Sequence, residues 1–180
     1  MILVYTDPKK RLLQMIEIAL LIIALPFAAV YGMKSYKIYQ AVVESERLFE
    51  VAENLAHAED YKASVVALEE CLAVNPRYFP AYEAMADLYF IEHRRFGLTR
   101  EQGLSKAIAL LEKGMIAAGD DPRMPMELSE FYMTTGKPEN LKKAEAIMLA
   151  AVKMAPTNHA CQTMLKMVRN QMANGSTARS

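Results

Sequence analysis

The sequence predicts an all-α chain: an N-terminal transmembrane helix, about three similar helical hairpins, and a C-terminal capping helix. Two observations predict it. An apolar tract of twenty residues lies near the N-terminus, and after it comes a unit that aligns with itself twice at a period above roughly thirty residues, the mark of a repeat array. A composition of 53% hydrophobic and 23% charged residues suits one compact domain with an added apolar segment.

The tract runs from Leu12 to Tyr31, LLQMIEIALLIIALPFAAVY, with a single charge. As a helix it rises about 30 Å, the thickness of a bilayer's hydrocarbon core. Apolar residues cover every face between Ile18 and Tyr31, which an amphipathic surface helix does not do. Lys9-Lys10-Arg11 ahead of the tract also suit a signal peptide, but no A-x-A site follows Phe27-Ala28-Ala29. The same three cations, against Lys34 and Lys37 beyond the tract, orient the N-terminus to the cytoplasm. The predicted organisation is therefore a cytoplasmic N-terminus over 1–11, a single-pass span over 12–33 in an inner membrane, a repeat domain over 34–172 on the periplasmic side, and a flexible tail over 173–180. Gln14 and Glu17 fall inside the predicted span. They read either as a contact with a neighbouring membrane helix or as groups protonated or reaching the headgroups. Pro26 removes one helical hydrogen bond there and is no sign of transport.

Past Gly32 no turn signal occurs until Glu59-Asp60, so the first helix is expected to run straight into the repeat domain. The first unit sets Leu48, Val51, Ala52 and Leu55 on one helix, turns at Glu59-Asp60-Tyr61, places Leu68, Cys71, Leu72 and Val74 on the next, and closes at Asn75-Pro76. The second repeats the plan with Tyr82, Met85-Ala86 and Tyr89, then Ala107, Leu111 and Gly114, closing at Pro122. The third has Leu128-Ser129 and Tyr132, a turn at Thr134-Thr135-Gly136, then Ala144, Met148 and Ala151 before Pro156. A last amphipathic helix, from His159 to about Met172, offers Cys161, Leu165 and Val168 to cover the open edge of the array.

Over roughly residues 45–172 these positions resemble the tetratricopeptide repeat (TPR) family, whose units pair a bulky residue, a small residue and an aromatic on one helix with small contacts and a closing proline on the next. The pattern also makes physical sense alone. Ala52, Ala86 and Ser129 let helices approach closely, and Tyr82, Tyr89 and Tyr132 fill the gaps that result. The resemblance implies a binding groove lined by the first helix of each hairpin, which by matching positions means Phe49, Glu53, His57, Glu83, Asp87, Phe90, Met126, Glu130 and Met133. Such a surface is acidic with apolar anchors and suits a segment mixing Lys or Arg with hydrophobic residues. Family members that clamp a terminal carboxylate use Lys and Asn where this chain has carboxylates, which argues against that ligand.

The second unit departs from the family by about nine extra residues in HRRFGLTREQG, expected to form a protruding loop. Arg94, Arg95 and Arg100 make a basic cluster there, suited to anionic lipid or an acidic partner and equally to plain solubilising charge.

No catalytic constellation is visible. The phosphate-loop, nucleophile-elbow and zinc-protease motifs are all absent, His57, His93 and His159 are scattered, and only Glu53 with His57 shares an i,i+4 face, read as solvated. Met124-Pro125-Met126 with Met133 reads as adaptable packing rather than a soft-metal site. Cys71 and Cys161 show no CxxC spacing and read as buried thiols. Lys+Arg and Asp+Glu both number 21, which leaves no basic footprint for nucleic acid. The expectation is a chain without catalytic residues, metal or cofactor. Its expected role is that of a membrane-anchored scaffold for protein–protein interaction in assembly of envelope or membrane complexes. The alternative is a stoichiometric accessory subunit of a large energy-converting or transport complex. Either way the partners are other proteins, membrane or exported, in a hetero-oligomeric complex, together with the lipid bilayer.

Overall fold

A computed structural model describes the backbone of residues 8–177 and the side chains of residues 31–174. Among the described residues the regular structure is helical: α1 (Pro8–His57), α2 (Tyr61–Val74), α3 (Phe79–Ile91), α4 (Arg100–Ala118), α5 (Arg123–Thr134), α6 (Pro138–Met154) and α7 (His159–Thr177), with a short 3-10 turn at His93–Phe96. The chain divides into two compact units, Met1–Val43 and Glu44–Ser180.

The predicted transmembrane helix is corrected. Among the described residues no helix is long and apolar enough to cross a membrane. Where its side chains are described, α1 carries Lys34, Lys37, Glu44, Glu46, Arg47, Glu50 and Glu53, a density of charge that hydrocarbon does not accommodate. Residues 12–30 of the predicted span have side chains outside the described residues. The single-pass topology, the inner-membrane anchor, the cytoplasmic N-terminus, the periplasmic domain and the bilayer as partner are withdrawn with the span. The expectation of one helix running unbroken into the repeats is met, since α1 reaches His57 without interruption.

The second unit is a stack of helical hairpins. The end of α1 pairs with α2, α3 with α4 and α5 with α6, and α7 covers α6 and α5. Short-range chemistry makes each turn. Glu59 adopts a left-handed conformation (φ 59°), the Asp60 N–H reaches back to the Leu55 carbonyl at 2.9 Å, and the Asp60 carboxylate then accepts from the Ala63 N–H at the start of α2. The links between hairpins share a device. The Asn75 and Asp121 side chains, each just before a proline, accept the N–H two residues on, at Arg77 (3.2 Å) and Arg123 (3.0 Å). After Pro76 and Pro156 the proline carbonyl accepts from a side chain six residues later, the Tyr82 hydroxyl at 3.1 Å and the Gln162 amide at 2.5 Å. The repeat seen in sequence is thus also a repeat of hydrogen bonding.

Two apolar cores result, with α3 serving both. Leu48, Ala52, Leu68, Cys71, Met85 and Tyr89 fill the first, and Tyr82, Leu111, Leu128, Met148 and Val168 the second. The small residues lie where the repeat required them: Ala52, Ala86 and Ser129 are fully buried at helix crossings. Ser64 also donates from its hydroxyl to the Ala52 carbonyl at 2.8 Å, tying α2 to α1. Val51 and Val74, expected on the packed face, are exposed instead. The capping helix is longer than expected, since α7 passes Met172 and continues to Thr177.

Candidate protein-binding groove

Residues of α1, α3, α5 and α7 line recesses of the second unit. Glu83 and Asp87 lie one turn apart on α3. α5 contributes Met126, Glu127, Glu130 and Met133, and α7 contributes Met164 and Met167. These residues line three recesses. A cavity of about 210 Å³ between α1, α2 and α3 is lined by Ala52, Ala56, Leu68 and Leu88 together with Glu53, Asp87 and Glu92. A second, of about 390 Å³, lies among Phe79, Glu83, Arg123, Met126, Glu127, Glu130 and Met164. A third, of about 330 Å³, shares Glu130 and Met164 with it and adds Met133 and Met167.

Carboxylates outnumber cations in these recesses. Burial raises the Glu83 carboxyl above its usual range and Asp87 adds to the effect; burial also raises Asp87, with Glu130 adding. Glu127 is pushed up to about 7, chiefly by burial and then by Glu83, Asp87 and Glu130. The nearest cation, Arg123, relieves Glu83 in part, but its guanidinium already bonds Asp121 at 2.7 and 3.0 Å and lies 4.6 Å from the Phe79 ring centroid. Among the described residues none of the four carboxylates takes part in an ion pair.

The groove positions implied by the TPR resemblance divide into two sets. Glu53, Glu83, Asp87, Met126, Glu130 and Met133 line these recesses, and so does Phe49, which is half-buried and meets Tyr78 edge-to-face at 5.6 Å. Phe90 is instead engaged in packing, edge-to-face with Phe131 at 5.6 Å and with the Arg100 guanidinium 5.5 Å from its centroid. His57 is exposed at the last residue of α1 and lines none of the three recesses. Gln14 and Glu17 have side chains outside the described residues.

The three arginines serve different neighbours. Arg95 pairs with Glu59 at 3.1 Å and lies 6.0 Å from the Tyr61 centroid, Arg100 lies over Phe90, and Arg94 is exposed. Their segment is tucked in rather than protruding. The 3-10 turn ends at Gly97 (φ 69°), Phe96 packs 5.1 Å from Tyr89, and α4 starts at once behind a capping box. In that box the Gln102 N–H donates to the Thr99 hydroxyl and the Thr99 N–H to the Gln102 side chain.

Sequence reasoning missed Glu127, Met164, Met167 and the first cavity. Glu127 adjoins Met126 on the helix already assigned to the groove, and Met164 and Met167 are three apart on α7, Met164 half-buried against the core and Met167 exposed. Among the described residues no three His, Cys, Asp or Glu side chains gather as a metal site.

No protein-family model and no curated protein matches the chain. Among solved structures, PcrH in complex with the chaperone binding region of PopD is similar at 14% identity, over 75% of this chain and 92% of that one, with a TM-score of 0.47. The MamA RS-1 ArsTM double mutant is similar at 21% identity, over 95% of this chain and 92% of that one, also with a TM-score of 0.47.

Proposed function

We propose that the chain is a non-enzymatic scaffold that holds another protein in this groove. One observation carries the reading: Glu83, Asp87, Glu127 and Glu130 are gathered with none of them in an ion pair among the described residues, the adjacent Arg123 being bonded to Asp121, beside the half-buried Met126, Met133 and Met164 and the exposed Met167. Partly buried like charges oppose folding, and a partner supplying cations relieves them. Methionine suits such a surface because its unbranched thioether adapts to varied apolar shapes. The test compares affinity isolation of the wild-type chain with that of the charge-reversed pair Asp87→Lys and Glu130→Lys. The expected result is a protein that accompanies the wild type at a constant ratio and is lost from the variant; an unchanged set of accompanying proteins contradicts the reading.

A second reading, an accessory subunit held permanently in a larger hetero-oligomeric complex, is favoured by α1. Within the first unit Tyr31, Met33, Tyr36, Ile38 and Tyr39 are each 58–67% exposed, an apolar surface of the kind that fixed protein neighbours cover. Replacing Tyr36 and Tyr39 by Ser dissociates the partner if the chain is such a subunit, and leaves it bound if the groove alone holds it.

A further inference from the structure

The cavity between α1, α2 and α3 differs from the rest of the groove in being walled almost wholly by carbon. Phe49, Ala52, Ala56, Leu68 and Leu88 line it, and the buried Ser64 hydroxyl beside them is taken up by the Ala52 carbonyl. Its volume of about 210 Å³ exceeds the roughly 150 Å³ of a dry aliphatic cavity that takes up a benzene ring, so one phenyl or branched aliphatic side chain fits. Burying such a side chain contributes more than any single exposed ion pair.

Asp87 links this cavity to the acid face. It lines the cavity and also belongs to the carboxylate group on α3 and α5. Glu83 follows one helical turn away, roughly 6 Å between Cβ atoms, and shares a recess with Glu127 and Glu130 of α5. Anchor and charges are therefore within reach of one short segment.

We infer that the cavity receives one bulky apolar side chain of a partner segment, and that lysines or arginines next to that side chain lie along Asp87, Glu83, Glu127 and Glu130. This rests on the groove reading above and specifies its partner as a basic amphipathic segment of another protein. Charge complementarity selects this occupant. An acidic segment meets repulsion at every step past the anchor, and a wholly apolar one leaves the carboxylates without cations.

The test uses a displayed library of random twelve-residue peptides selected on the full 180-residue chain. Binders are then measured by fluorescence anisotropy against the wild type, Ala56→Phe, which fills the cavity, and Asp87→Asn with Glu127→Gln. The inference expects enriched peptides with one large apolar residue beside Lys or Arg. Binding should weaken about tenfold or more in Ala56→Phe and by a similar factor in the neutralised pair. The neutralised pair should also melt higher than the wild type, because repulsion is relieved, and this separates lost binding from lost structure. Thermal melting checks that Ala56→Phe remains folded, and Ala84→Leu on the opposite wall serves as a second filling variant.

Peptides that need the open cavity but lack basic residues overturn the partner chemistry and leave the groove reading standing. Peptides indifferent to all three variants overturn both. Self-association in light scattering that Ala56→Phe abolishes shows a second copy in the cavity and overturns the inference.

Discussion

Gly103 on α4 lies against the backbone of α3 at Tyr89: a Cβ built on Gly103 stands 2.3 Å from the Tyr89 carbonyl oxygen and 2.8 Å from the His93 Cβ. The obstacle is main chain, which cannot rotate away, so the α3–α4 crossing depends on the missing side chain. Gly103→Ala is expected to destabilise the chain by about 1–3 kcal/mol, despite the better helix propensity of alanine. Urea denaturation followed by circular dichroism measures it. A neutral or stabilising result means that α4 stands further from α3.

Glu59 offers the reverse case. Its φ of 59° places a non-glycine residue in the left-handed region at the end of α1, at a cost of about 1 kcal/mol that glycine avoids. The Arg95 ion pair lost with the carboxylate is exposed on both sides and contributes little. Glu59→Gly is therefore expected to stabilise the chain by about 0.5–1 kcal/mol, read as a higher denaturation midpoint. A lower midpoint assigns the dominant role to the Arg95 contact.

The carboxylates of the groove set a pH dependence. With Glu127 pushed up to about 7 from a model-compound value of 4.5, the folded chain binds a proton that the unfolded chain has released between these pH values. That stabilisation is complete below about pH 4.5 and is lost as pH rises through about 7; the raised carboxyls of Glu83 and Asp87 act in the same direction. Melting temperatures taken from pH 5 to pH 8 should fall, and Glu127→Gln should flatten the fall. A profile that is flat in the wild type places Glu127 in open solvent.

Much of the repeat domain was legible because its signals are local and recur. Asn75-Pro76 and Pro156 mark turns whose hydrogen bonds repeat, and Ala52, Ala86 and Ser129 are small because helices cross there. The membrane span was misread because apolar density over 12–31 says nothing of the longer helix that contains it, and α1 runs on through charged residues to His57. The inserted segment was misread as protruding although Thr99-x-x-Gln102 is a helix-start signature; with it recognised, α4 begins at Arg100 and only a short turn remains.

The groove was legible in part, for a different reason. An aromatic residue on the first helix of a hairpin reads alike whether it lines a recess or only packs on a neighbouring helix, so Phe49, which packs on Tyr78 and also lines the first cavity, could not be told from Phe90, which packs on Phe131. Met164 and Met167 were passed over because α7 was read only as a cap, and a cap's outer face continues the groove. The first cavity comes from three helices at once, and no single periodicity reveals it.

The most direct test of the central claim, that this face holds another protein, is site-specific photo-cross-linking in cells producing the full chain. A photoreactive amino acid replaces Met133 in the groove or, in a parallel chain, Ile116, which is 89% exposed on α4 and lines none of the groove's recesses. The account predicts a discrete protein adduct from position 133 that disappears when Asp87 and Glu130 are reversed to lysine, and no such adduct from position 116. Adducts of equal yield and identity from both positions, unaffected by the charge reversal, contradict it.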